Sequence, residues 1–170
     1  RKMDAVFCNS KNVQARLKRY LDVESMVLYP PIDIDGYSFS ESNGYYLSNA
    51  RLEGYKRVEQ IVKAFAFMPD KKLVVASGGS KLKEIKKLAE NIPNVSVLGW
   101  VTEKQMKELV SHCIGVIYIP IDEDFGMTPV EAMAAGKPVL GVAEGGVKET
   151  VKHELTGYLC PSFPSIEDII

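Results

Sequence analysis

Cysteine and histidine are scarce in this chain of 170 residues. Cys8, Cys113 and Cys160 are odd in number, far apart and free of any C-x-x-C pair, so neither a disulfide framework nor a zinc site is indicated. A reducing, cytoplasmic compartment fits such usage. His112 and His153 have no partner at metal-ligand spacing. Net charge is also lacking: 21 Lys and Arg against 22 Asp and Glu leave −1. That removes the electrostatic footprint of a general nucleic-acid binder, so any anion must be held locally. Long apolar runs are missing as well. The stretch from Cys113 to Ile119 falls far short of the about 20 residues that cross a bilayer, so no transmembrane segment is expected. Ala5-Val6-Phe7-Cys8, close behind Arg1-Lys2, is too brief for the apolar region of a signal peptide, and the opening reads as a cut through a longer chain.

What is present is an ordinary globular composition, 46% hydrophobic and 25% charged, in a length that can bury roughly 70% of its unfolded surface. Short apolar runs at Tyr45–Leu47, Leu73–Ala76, Val95–Leu98, Ile114–Ile119 and Val139–Val142 read as buried parallel strands. Between them Val58, Ile61, Val62, Phe65 and Met68, then Met106, Leu109, Val110 and Cys113, recur at helical spacing. Thr102 with Gln105 forms a capping box before the second helix. The alternation predicts an α/β fold, a doubly wound Rossmann-like parallel sheet with ligands at the carboxyl ends of its strands. The first 42 residues differ. A strand at Ala5–Phe7, a cap at Asn9-Ser10 and a helix to about Leu21 lead through Met26–Leu28 to the stiff pair Pro30-Pro31 and a soft polar run at Ser38–Gly44. The chain is therefore divided into residues 1–28, the tail of a mostly absent domain; 29–42, a hinge; and 43–170, a complete domain.

The densest chemistry lies at Asp122-Glu123-Asp124-Phe125-Gly126-Met127-Thr128-Pro129-Val130-Glu131, followed by Ala-Met-Ala-Ala-Gly-Lys-Pro-Val. It leaves a buried strand, passes a glycine and enters a helix. One carboxylate thus stands on the loop and another in the first helical turn. The exposed N–H groups of that turn, from Met127 to Val130, make an anion site backed by the positive helix end.

Glu123 and Glu131, with seven residues between them, resemble the Glu-x7-Glu signature of the retaining glycosyltransferases of family 4, also called group 1, which have the two-domain GT-B fold. Asn49-Ala50-Arg51-Leu52-Glu53-Gly54-Tyr55-Lys56-Arg57 is similar to that family's Arg-Leu-x3-Lys phosphate clamp. Gly145-Gly146-Val147-Lys148-Glu149-Thr150-Val151, with Thr156-Gly157-Tyr158-Leu159, matches its closing segment. The resemblance spans about Ala5 to Leu159. It implies that residues 43–170 form the donor-binding half of a GT-B enzyme transferring a hexose from a nucleotide diphosphate sugar with retention. Glu131 would accept from the ribose hydroxyls and Glu123 would hold the donor sugar. Phe125, Gly126, Met127 and Thr128 would face sugar and diphosphate. Arg51 and Lys56 would neutralise the leaving diphosphate, while Gly78, Gly79, Trp100 and Val101 would line the nucleotide slot. Gly78-Gly79-Ser80 departs from the commoner Gly-x-Gly of the family. No cofactor and no metal are implied. GDP-mannose is the favoured donor, and a glycan or lipid-linked glycan the acceptor. That acceptor would be reached through the absent N-terminal domain, with peripheral contact to the inner membrane face open to the full-length protein.

Plainer readings stand beside these. Thr128, Pro129 and Glu131 fit N-cap, N1 and N3 of a helix, a capping box with no ligand role. Arg51 and Lys56 could be solvated surface charges, and Gly145-Gly146 a strand-to-helix turn. An epimerase of the same fold and a non-catalytic interaction module are the rival functions. Nucleoside diphosphate binding separates the module from the enzymes, and turnover without an acceptor marks the epimerase.

Overall fold

The computed structural model describes residues 3–170; Arg1 and Lys2 of the expected N-terminal segment lie outside the described residues. Two sheets result. A small one pairs β1 (Phe7–Cys8) with β2 (Met26–Val27) in parallel, joined by α1 (Lys11–Leu21). Ser10 starts α1 as an N-cap, its hydroxyl accepting from the Val13 N–H. The large sheet has six parallel strands: β3 (Tyr45–Ser48), β4 (Lys72–Val75), β5 (Val95–Val97), β6 (Val116–Ile117), β7 (Val139–Val142) and β8 (Gly157–Cys160). Their spatial order is β5-β4-β3-β6-β7-β8.

Leu47, Leu73, Val75, Val116, Ile117, Val139 and Val142 are buried in the sheet, which is why these runs read as continuously apolar rather than alternating. The crossovers are α2 (Val58–Phe65), α3 (Leu82–Ala89), α4 (Glu103–Ser111), α5 (Met127–Ala134) and α6 (Val147–Thr150). α2 buries Val58, Ile61, Val62 and Phe65, as its spacing predicts, while Met68 packs just beyond the helix end. Thr102 and Gln105 do form the capping box of α4.

The sequence reading found five of the six strands. Thr156–Leu159 shows only as a motif in the sequence, because β8 is an edge strand that opens on a glycine and exposes Tyr158. Residues 29–42, expected as a hinge, contact the domain that follows them. Lys137, almost fully buried, donates from Nζ to the Ser40 carbonyl at 2.7 Å with the Phe39 ring 4.5 Å away, and Lys107 Nζ donates to the Asp35 carbonyl at 2.8 Å.

Candidate functional site

Successive strands run outward from β3 through β4 to β5, and the chain then returns to the other side of β3 as β6. The order reverses between β3 and β6, and in an open parallel sheet that switch point leaves a crevice beyond the strand ends. The loops carrying Arg51 and Lys56 follow β3, and the loop carrying Glu123 follows β6. The crevice therefore brings together residues far apart in sequence.

At its centre the Lys56 ammonium is ion-paired with a Glu123 carboxylate oxygen, and the Tyr118 hydroxyl donates to that same oxygen at 2.7 Å. Lys56 Nζ also lies 3.0 Å from the Tyr118 hydroxyl. The two charged side chains are only 13% and 18% exposed, so neither is a surface charge. Tyr118 is kept protonated, first by burial and then by the Glu123 carboxylate and its hydrogen bond. It acts here as a neutral donor.

The helix start differs from the capping-box expectation. α5 begins at Met127, and its N-cap is Gly126 in the left-handed region at φ 86°, with no side-chain cap. A residue with a Cβ is strained there, whereas glycine turns the chain into the helix freely. Thr128 and Pro129 therefore sit inside the first turn, and Glu131 lies beyond it, so they form no capping box. The anion site also shifts. Pro129 has no N–H and Val130 falls within helical register, which leaves Gly126, Met127 and Thr128 as the unpaired donors of the turn. Phe125 is buried and packs on Tyr29 at 5.5 Å between ring centres.

Glu131 is half-buried, and among the described residues no hydrogen bond or ion pair holds its carboxylate. Desolvation raises its pKa above the usual carboxylate value, partly offset by the Lys107 charge. Its own charge reaches Tyr37, whose phenol is pushed up to about 12 by burial first and Glu131 second. A desolvated acceptor without a partner is poised for hydroxyl donors.

Arg51 stands apart from the ion pair. Its side chain is 66% exposed and reaches Glu53 only at 3.8 Å. Glu53 accepts from the Ser80 N–H and hydroxyl, which holds its carboxyl below the ordinary range and ties the loop after β3 to the loop after β4. Gly78 and Gly79 back onto the same loop: the Leu52 N–H donates to the Gly78 carbonyl at 2.9 Å, and Gly79 lies against the Leu52 backbone. The exposed Trp100 indole covers Gly78, and Val101 packs on the core. The expected slot residues thus form one row along the carboxyl edge.

Sequence reasoning missed Tyr118, Arg57 and Glu144. Tyr118 is the one hydroxyl in the apolar run Ile114–Ile119, a signal that was available. Arg57 has no role of its own in the motif that contains it, yet its NH1 pairs with Glu144 at 3.1 Å and points to the Ile119 carbonyl at 3.3 Å. Also missed was the contact of the N-terminal segment with the loop: Asn12 Nδ2 donates to the Glu123 carbonyl at 3.1 Å, and Glu149 accepts from the Lys11 and Asn12 N–H groups. Among the described residues no group of three or more His, Cys, Asp or Glu could hold a metal, and no helix is long and apolar enough to cross a membrane.

The family described as glycosyl transferases group 1 matches residues 32–170. The chain is similar to alpha-1,3/1,6-mannosyltransferase ALG2 of Saccharomyces cerevisiae, 28% identical over 95% of this chain and 44% of that protein. N-acetyl-alpha-D-glucosaminyl L-malate synthase of Bacillus anthracis is 32% identical over 73% of this chain and 34% of that protein. Anabaena Alr3699/HepE, solved in complex with UDP-glucose, shares the fold at a TM-score of 0.84 and 24% identity, over 98% of this chain and 52% of that chain. The chain spans less than half the length of these curated relatives.

Proposed function

The chain belongs to the group 1 glycosyl transferases, and from that premise we propose that residues 43–170 are the donor-binding half of a retaining GT-B enzyme that moves mannose from GDP-mannose to a glycan or lipid-linked glycan. Residues 1–28 are then the tail of the acceptor domain. The observation that carries the reading is the crevice at the strand-order switch, where Lys56 meets Glu123 and the Tyr118 hydroxyl, and where the charge of the unpartnered Glu131 reaches Tyr118. Mannose is favoured by the likeness to ALG2, whose name gives it as a mannosyltransferase.

Breaking the bond between the anomeric carbon and the phosphate oxygen leaves both bonding electrons on the diphosphate and positive charge in the sugar ring. Catalysis is then mainly stabilisation of the leaving group by charges and dipoles already in place. Lys56, Arg51 and the N–H groups of Gly126, Met127 and Thr128 supply that positive potential, so no metal is required. Glu131 accepts from the ribose hydroxyls, and Glu123 holds hydroxyls of the sugar. Trp100 and Val101 border the base, beside Gly78 and Gly79.

The test is transfer by the full-length protein from GDP-mannose to a mannose-terminated oligosaccharide, with the anomeric proton of the first product read by NMR. An α-linked product from the α-linked donor supports the reading. A β-linked product removes retention, and GDP-mannose conversion without acceptor points to epimerisation instead.

A further inference from the structure

Three contacts staple the loop after β6 to the turn before α2 directly, and a fourth runs through Glu144 of the segment after β7. The Ile121 N–H donates to the Tyr55 carbonyl at 2.7 Å, and Arg57 NH1 reaches the Ile119 carbonyl at 3.3 Å. Lys56 pairs with Glu123. Arg57 also pairs with Glu144, whose other carboxylate oxygen accepts the Asp122 N–H at 3.0 Å. The Arg57 and Glu144 side chains are only 9% and 11% exposed. Neither Arg57 nor Asp122 has a relaxed backbone: φ is 54° and 39°, a left-handed region that non-glycine residues occupy at a cost. A buried ion pair joining two strained positions, one beside Lys56 and the other beside Glu123, is poorly explained as general stabilisation, because such pairs contribute little net stability. It does explain a fixed loop.

We propose that Arg57 and Glu144 are positioning residues, which hold the Asp122–Glu123 backbone so that the Glu123 carboxylate faces both Lys56 and the donor sugar. The proposal rests on the donor-binding reading of Glu123. Gly145 and Gly146, directly after Glu144, lie so close to the Asp122–Asp124 backbone that a Cβ at either would collide with it, and the Gly146 N–H donates to the Glu123 carbonyl at 2.6 Å. The loop is therefore gripped from β7 as well. Arg57 and Glu144 act on the sugar end of the ligand through Glu123 and leave the diphosphate donors of α5 untouched.

Hydrogen exchange of the ligand-free chain and calorimetric titration with GDP and GDP-mannose test this together. Glu144→Ala should speed exchange at the Asp122 amide tenfold or more while amides of β3 and β4 keep their protection. It should weaken GDP-mannose about tenfold and GDP by less than threefold. Glu144→Gln, which keeps an oxygen for the Asp122 N–H but turns an amide N–H towards the Arg57 guanidinium, should recover only part of the loss. The double variant with Glu123→Ala should bind GDP-mannose no worse than Glu123→Ala alone. Unchanged Asp122 exchange, equal loss of GDP and GDP-mannose, or additive losses in the double variant each overturn the positioning role. Failure of the wild-type chain to bind either ligand sinks the donor reading instead, and the Asp122 amide alone then decides whether Glu144 fixes the loop.

Discussion

Lys56 and Glu123, 67 positions apart, neutralise each other in the crevice, with Tyr118 donating to the shared carboxylate oxygen. A diphosphate that approaches Lys56 must compete with Glu123 for it. This coupling changes what truncation of each residue does.

Glu123→Ala should free Lys56, so GDP affinity should hold or rise while GDP-mannose weakens about tenfold, a loss of about 1.4 kcal/mol. Lys56→Ala should weaken both ligands. Each single change strands a partly buried charge and should cost roughly 1–3 kcal/mol of stability, with the double variant costing less than the sum. Calorimetry and urea unfolding of the three variants check this. Parallel loss of GDP and GDP-mannose in Glu123→Ala would remove the division of roles.

Arg51 is exposed and nearly free, so it should behave oppositely in stability and in binding. Arg51→Ala should change stability by no more than about 0.5 kcal/mol. Loss of a charge-assisted hydrogen bond, roughly 1.5–3 kcal/mol, should weaken GDP about tenfold to a hundredfold and guanosine hardly at all. Arg51→Lys should recover part, since a point charge replaces a planar fork. Equal weakening of guanosine and GDP would return Arg51 to the solvated surface.

Glu131 gives a pH signature. Its folded pKa is raised, so the folded state favours the protonated form. Stability from that form is complete below the unfolded carboxylate pKa and is lost as pH rises through the raised folded value. Glu131→Gln should therefore match the wild type at about pH 4 in both melting and GDP affinity, and at pH 7 should melt above it while binding GDP less tightly. A lower Tm for Glu131→Gln at pH 7 would show that the carboxylate stabilises the helix after all.

Much of this architecture was legible because buried parallel strands and one-faced helices leave strong periodic signals. Val58, Ile61, Val62 and Phe65 place α2, and Val139–Val142 place β7 to the residue. The start of α5 was not legible. Thr128-Pro129 imitates a cap and first turn, and only the left-handed Gly126 shows that the helix begins earlier. The Lys56–Glu123 and Arg57–Glu144 pairs could not be read either, since the first joins loops that meet only when β6 inserts beside β3 and the second needs β7 beside β6 as well. Local pattern finds the elements; the crevice comes from their order.

The close approach of Gly146 to the Asp124 and Phe125 backbone makes Gly146→Ala a sharp probe. Backbone cannot yield as a flexible side chain does, so the variant should lose roughly 1–3 kcal/mol, typical of overpacking. It should weaken GDP-mannose more than GDP. Thermal melts and titration check it, and a variant as stable and as tight-binding as the wild type would contradict the packing argument.

The crevice is expected to bind a nucleoside diphosphate sugar without a metal. Titrating the chain calorimetrically with GDP, UDP, ADP and GDP-mannose, each with and without excess EDTA, tests it most directly. Saturable one-to-one binding of GDP and GDP-mannose should follow, unchanged by EDTA and abolished in the Arg51→Ala/Lys56→Ala double variant. Absence of binding by every ligand, or binding that EDTA removes, would contradict it.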